Sequence, residues 1–212
     1  MTTQLAARED LISLIEPMPH QMPLYSYLMA AGPDRPNKSW LARILDAQRS
    51  TGSALPLHLG LEPDAYRQLI NCFFPDCRVW LALHYGHDLL WQRGELRQQL
   101  LVLRREEWET LRNLLVQHRR GDDASEIRMA EIVAAACLGS GHLWRDLGLG
   151  SRGMLRDLLQ SNFPALVSLN TRDMRWKRFF YKQLCEQEGG YVCRSPSCDQ
   201  CSTYDECFGE EN

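Results

Sequence analysis

Arg172-Asp-Met-Arg-Trp-Lys-Arg-Phe-Phe-Tyr-Lys-Gln-Leu-Cys185 is followed, seven residues on, by Cys193-Arg-Ser-Pro-Ser-Cys198-Asp-Gln-Cys201-Ser-Thr-Tyr-Asp-Glu-Cys207, and the contrast between the two stretches decides the fold class. At one hundred degrees per residue the first stretch separates into two faces. Trp176, Phe179, Phe180 and Leu184 form the apolar face, while Arg175, Arg178 and Lys182 gather opposite, with Cys185 beside Arg178 and Lys182. The second stretch has no period at all. Its turn formers, Ser195, Pro196, Ser197, Asp199 and Ser202, predict an irregular loop, and four of the chain's eight cysteines fall inside it. An amphipathic helix therefore delivers the chain into a cysteine-rich loop.

Working outward, helical spacing dominates the remaining chain. Leu5, Leu11, Ile12, Leu14 and Ile15 predict a first helix ended by Pro17 and Pro19, and Leu24, Tyr27, Leu28 and Met29 predict a second. Ser39 is placed to cap a helix of Trp40, Leu41, Ile44 and Leu45, and Pro63 to open one carrying Ala65, Leu69 and Ile70. Leucines from Leu81 through Trp91 and Leu103 to His118 predict one or two long amphipathic helices ended by Gly121. Asp123 and Glu126 have capping-box spacing before Ile127, Ala130, Ile132, Val133, Ala134, Ala135, Ala136 and Cys137, whose alanines imply close helix packing. No series of alternating β-branched residues reads as a strand. The expectation is an all-α, multi-helix, bundle-like domain over residues 1–186, with an irregular cysteine-rich metal-cluster loop and tail over 187–212.

The 212 residues carry a net charge of -3, with 44% hydrophobic and 24% charged residues. That balance suits a soluble globular protein and argues against a nucleic-acid binder, which carries a basic excess for phosphates. Neither a long apolar span nor a signal segment is present, so the expected compartment is the cytoplasm, where clustered thiols hold metal rather than disulfides. Cys72, Cys77 and Cys137 sit among apolar neighbours and read as buried small hydrophobes.

Three other patterns resemble sites and are set aside. Met18, His20 and Met22 offer soft ligands, but prolines divide them and ordinary loop packing explains them. Cys72, Cys77, His84 and His87 make a zinc set by count, yet the spacing is loose and the cysteines flank Phe73, Phe74 and Pro75, so they read as core cysteines with partly exposed histidines. Gly148-Leu-Gly150-Ser-Arg-Gly153, with Asp173 beyond it, has the spacing of a dinucleotide fingerprint. That fingerprint needs a strand before it, and His142, Leu143, Trp144 and Leu147 are not one. The glycines read instead as the end of one helix and the start of another near Met154.

The chemistry concentrates at the C-terminal end. Cys193, Cys198, Cys201 and Cys207, separated by four, two and five residues, can be brought to one centre by a folded-back loop and are the candidate metal ligands. Cys185 is a candidate fifth thiol and His142 a softer further ligand. After Cys185 the acids Glu186, Glu188, Asp199, Asp205, Glu206, Glu210 and Glu211 face only Arg194, and bound thiolates would add negative charge. Arg175, Arg178 and Lys182 are then placed to compensate an anionic cluster or an oxo-anion. No nucleophile with a base and no paired carboxylates emerge, so the chain does not read as an enzyme.

Ala-Ala-Cys137, His142-Leu-Trp-Arg-Asp-Leu-Gly148-Leu, Phe163-Pro, the Asp173–Cys185 helix and the loop Cys193 to Cys207 followed by Phe208-Gly209 closely resemble the NifQ family of nitrogen-fixation proteins. Leu59-Gly-Leu and Phe74-Pro75 are further echoes. The resemblance implies a molybdenum donor for the nitrogenase iron-molybdenum cofactor, holding a molybdenum-iron-sulfur cluster through the four-cysteine loop. It also implies transfer to the NifEN assembly scaffold with the nitrogenase iron protein as partners; a monomer is expected. A cubane with three irons needs one thiolate per iron, which leaves a fourth cysteine to bind molybdenum or to stand aside. The alternative from the residues alone is a zinc-stabilised protein-binding module on a helical domain, since four cysteines also fit zinc.

Overall fold

The structure is a computed structural model, and it describes residues 23–50, 52–77, 88–187 and 204–209. The predicted first helix, Met18, His20, Met22, His84, His87 and three of the loop cysteines, Cys193, Cys198 and Cys201, lie outside the described residues. In chain order the helices are α1 (Leu24–Ala30), α2 (Lys38–Arg49), α3 (Pro63–Phe73), α4 (Asp88–Leu103), α5 (Arg105–Gln117), α6 (Ser125–Cys137), α7 (Leu143–Leu147), α8 (Arg152–Asn162), α9 (Pro164–Leu169), α10 (Trp176–Gln187) and α11 (Tyr204–Phe208), with a 3-10 turn at Pro75–Cys77. No strand occurs among the described residues, as the all-α expectation requires.

The helix rich in alanine, α6, is the axis of the core. Every residue from Met129 to Cys137 is buried, so no face of the second half of this helix meets water. Ala130, Ala134, Ala135 and Ala136 let neighbours approach closely, and α5 makes its most extensive pairing here. The loop Leu59-Gly60 comes closest: a Cβ added to Gly60, whose φ is +83°, would lie 2.3 Å from the Ala135 Cβ. Only glycine meets both requirements, the positive φ and the absent side chain. Burial of Ile132, Val133 and Met129 at 0% exposure contributes about 1.5–3 kcal/mol each.

The start of α6 shows the predicted capping box at work. Asp123 Oδ1 accepts from the Ser125 amide at 2.8 Å, and the Glu126 carboxylate reaches back to the amides of Gly121, Asp122 and Asp123 at 2.6, 3.0 and 3.0 Å. Three amide donors are the reason a carboxylate at 3% exposure is tolerated there.

Other expectations shift in detail. Ser39 does not cap α2, which begins at Lys38 after Asn37 in a left-handed conformation, φ +67°. Asn37 is held there by its side chain, which donates to Asn162 Oδ1 at 2.7 Å and accepts from Asn162 Nδ2 at 2.8 Å. The leucine-rich stretch breaks at Arg104 into α4 and α5, and the second ends at Gln117, before Gly121. Cys77 and Cys137 are buried as expected, whereas Cys72 is exposed, because it lies off the face of α3 that buries Tyr66, Leu69, Ile70 and Phe73. Gly148 closes α7 at φ +78° and Ser151 caps α8, so the glycine fingerprint joins two helices with no strand before it.

Candidate metal centre

The apolar face of α10 is the predicted one. Trp176, Phe179 and Phe180 are buried, with Trp176 edge-on to Phe179 at 5.8 Å, and they fix the helix against the core. Arg175 stands just before the helix and its carbonyl accepts the Phe179 amide at 2.9 Å. The end of the cysteine loop comes back to this entrance. The Arg175 amide donates to the Cys207 carbonyl at 2.8 Å, its Nε donates to the Gly209 carbonyl at 3.2 Å, and the Arg172 guanidinium lies 5.2 Å from the Phe208 ring centroid. Gly209 allows the fit: a Cβ there would meet Asp205 O at 2.5 Å and Arg175 Nη2 at 3.2 Å.

The chain leaves α10 at Gln187, its far end, while Cys207 is bound at Arg175, its entrance, so the length of the helix separates the two points. The rise per residue of a helix makes that span about 18 Å and sets Cys185 about 15 Å along the axis from the Cys207 backbone. Cys185 and Cys207, the two candidate thiol ligands within the described residues, therefore lie near opposite ends of α10. Among the described residues no three His, Cys, Asp or Glu side chains gather into a metal-holding group.

The basic residues divide by position. Lys182 lies towards the far end of α10, in an exposed pair with Glu186 at 3.0 Å, an arrangement worth only tenths of a kcal/mol. Arg175 and Arg178 instead line a cleft of about 450 Å³ with His142, Arg145, Trp176 and Lys177. Thus His142 and two of the three predicted cations meet at the entrance of α10, where the Arg175 amide also binds the Cys207 carbonyl. Arg145 and Lys177 belong to the same wall, and the helical wheel did not single them out.

Lys177 is tied to the floor of this region. Its Nζ donates to the Gly139 carbonyl at 2.7 Å and to the Asp146 carboxylate, with side-chain exposures of 18% and 9% for the lysine and the aspartate. The loop that carries His142 wraps the same carboxylate so closely that a Cβ on Gly139 would stand 2.6 Å from Asp146 Oδ2, and one on Gly141 2.9 Å from Oδ1. One ion pair thus locks α10 to α7 and, through the Gly139 carbonyl, to the 139–142 loop that carries His142.

Farther along α10, Tyr181 donates to Glu107, which also takes two bonds from Arg104 at 2.6 and 2.5 Å, while Arg104 Nη1 donates to the Leu138 carbonyl at 2.9 Å. The hydrogen bonds from Arg104 hold the Glu107 carboxyl below its ordinary range, and burial pushes the Tyr181 phenol up. Burial likewise pushes the Cys137 thiol up to about 12. Cys137 is a neutral core thiol rather than a ligand in waiting.

Residues 40–209 match the family described as NifQ. The chain is 57% identical over 178 residues to "Protein NifQ" of Azotobacter vinelandii, covering 84% of this chain and 91% of that protein. It is 36% identical over 184 residues to "Protein NifQ" of Klebsiella pneumoniae, covering 82% of this chain and 99% of that protein. A "Protein NifQ homolog" of Sinorhizobium fredii is 48% identical over 99 residues, 47% of this chain and 43% of that protein. No solved structure matches the chain. Agreement along nearly the whole length of two relatives, on top of the helix and loop already described, leads to one conclusion: the chain belongs to the NifQ family of nitrogen-fixation proteins.

Proposed function

We propose that this protein carries a molybdenum-iron-sulfur cluster as cargo and donates its molybdenum to the nitrogenase iron-molybdenum cofactor. The single observation that carries the reading is the attachment of Cys207 at the cation-lined entrance of α10. One end of a four-thiol loop is thereby held where positive charge is concentrated, and thiolate-bound clusters are anionic.

In this reading Cys193, Cys198, Cys201 and Cys207 supply the thiolates, and Arg175 and Arg178 balance their charge. Lys182 adds to the field from farther along the helix, and Cys185 and His142 stand by as further ligands. One of the four loop thiolates is labile, because a carrier has to release what it holds. Residues 1–186 are the scaffold and 187–212 the cradle, which opens without disturbing the helical core. The protein is a carrier and not an enzyme, works as a monomer in the cytoplasm, and hands its metal to the NifEN scaffold with the nitrogenase iron protein.

Anaerobic purification followed by metal analysis tests this. A brown protein with iron and molybdenum in stoichiometric amounts is expected. A colourless protein with one zinc per chain contradicts the carrier reading and assigns the loop to a zinc-stabilised binding module.

A further inference from the structure

A second cleft, of about 640 Å³, lies between α1, α2, α7 and the start of α8, and the carrier reading makes no use of it. Its wall includes Gly148 and Gly150, the first two glycines of the fingerprint-like segment. Gly148, at φ +78°, is pressed against α2: a Cβ there would stand 2.1 Å from the Ala47 Cβ, so only glycine closes the turn. That contact brings the turn into α8 alongside Arg43 and Asp46 of α2. The Gly150 amide donates to no backbone group among the described residues, and it stands one residue before Ser151, the cap of α8.

Two arginines add oriented charge. Arg43 lies over the Tyr25 ring, 4.5 Å from its centroid, and Arg145 over the Trp144 ring at 4.8 Å. A guanidinium resting on a ring keeps its in-plane N–H forks for an acceptor. Neither arginine has an ion-pair partner among the described residues, nor does the Asp46 carboxylate beside them, and the Trp144 indole N–H is buried without an acceptor. The cleft thus offers N–H donors for an anionic group, a carboxylate for a hydroxyl, and guanidinium planes for a flat ring. A bare inorganic anion would use only the first and be repelled by Asp46.

We propose that this cleft binds a free nucleoside phosphate. Arg43, Arg145 and the Gly150 amide receive the phosphate, at a helix start that itself favours such a group. Asp46 accepts from the sugar hydroxyls, and the base stacks on an arginine plane backed by its ring. The volume falls in the range of small-ligand sites. Binding is non-covalent and independent of the carrier reading, since it needs no loop cysteine and no metal. Arg145 also lines the cleft at the entrance of α10, so an occupied site draws on a cation that the two clefts share.

Calorimetric titration of the full-length protein with the 5′-monophosphates of adenosine, guanosine, cytidine and uridine tests the site. Saturable binding of at least one of them, one per chain, is expected. Arg43→Gln should weaken it about tenfold, the loss of a hydrogen bond to a charged group. The 2′-deoxy analogue should bind severalfold more weakly to the wild type and lose nothing further in Asp46→Asn. Arg43 is exposed and Asp46 half-buried, so melting curves should show both variants folded. The nucleoside alone and inorganic phosphate alone each carry part of the ligand and should bind at least about tenfold more weakly than the nucleotide. A protein with all four loop cysteines changed to serine should bind the nucleotide as the wild type does. No saturable binding by any of the four, binding untouched by Arg43→Gln, or binding abolished by the serine changes each overturns the proposal. Phosphate or molybdate binding as tightly as the nucleotide makes the cleft a simple anion site and overturns it too, as does tighter binding of a 5′-phosphorylated oligonucleotide. The carrier reading stands or falls separately, on the metal analysis.

Discussion

Replacing Lys177 with methionine keeps most of the side-chain volume and removes the ammonium that joins α10 to Asp146 of α7 and to the Gly139 carbonyl. The Asp146 carboxylate, 9% exposed, then loses its ion-pair partner and keeps only the field of Arg97, and the Gly139 carbonyl loses a donor. Removing one partner of a buried pair costs about 3–5 kcal/mol. Because the lysine retains 18% exposure, water can follow the charge, and the lower end, about 3 kcal/mol, applies. For a protein of this size that corresponds to a fall in Tm of about 6–12 °C. Differential scanning calorimetry of the wild type, Lys177→Met, Asp146→Asn and the double variant gives the full cycle. The double variant should lose less than the sum of the singles by about 1–3 kcal/mol, since each single change strands the other group. Additive losses, or a Lys177→Met variant within about 0.5 kcal/mol of wild type, would refute the view that this pair locks the His142 loop to α10.

Alkaline stability should carry the mark of Cys137. Its thiol ionises near 9.0 when unfolded and near 12 in the fold, so the unfolded chain releases its proton first and stability falls as pH rises from about 9. The slope approaches 1.4 kcal/mol per pH unit, and the loss between pH 9 and 10.5 is about 1.6 kcal/mol; urea unfolding at several pH values should find this loss in the wild type and a shallower one in Cys137→Ala, with identical slopes counting against it. Gly209→Val should detach α11, because the added Cβ meets Asp205 O at 2.5 Å. Hydrogen exchange would then show faster exchange at the Arg175 amide, which donates to Cys207 O, and unchanged protection there would argue against docking.

Much of the fold is legible where one residue pattern has one local consequence. The apolar stripe Trp176, Phe179, Phe180, the capping pair Asp123 and Glu126, and the alanines of α6 all do what their spacing dictates. Less legible is anything that depends on two distant segments meeting. Ser39 is a good cap by type, but Asn37 takes the turn because Asn162, far along the chain, pairs with its amide. Cys72 has apolar neighbours in sequence and still lies off the buried face of α3.

The site divides in the same way. The wheel groups Arg175, Arg178 and Lys182, yet only the first two reach the cleft, since Lys182 lies a turn beyond Arg178. Arg145 and Lys177 escape notice because their roles come from α7 and the 139–142 loop before it folding against α10, which no periodicity records. The small residues Gly139 and Gly141 are the available signal, being spaced to admit the Asp146 carboxylate. His142 is singled out from sequence, and its place in one cleft with Arg175 and Arg178 comes from that same packing.

The central claim is that the loop thiolates hold iron and molybdenum together, with one thiolate separable from the rest. Single changes of Cys193, Cys198, Cys201 and Cys207 to serine, each purified anaerobically and assayed for iron and molybdenum per chain, test it most directly. Three variants losing both metals and one losing molybdenum while retaining iron is the predicted result. Equal retention of both metals in all four variants would contradict the assignment of the cluster to this loop, and equal loss in all four would contradict a separable fourth position.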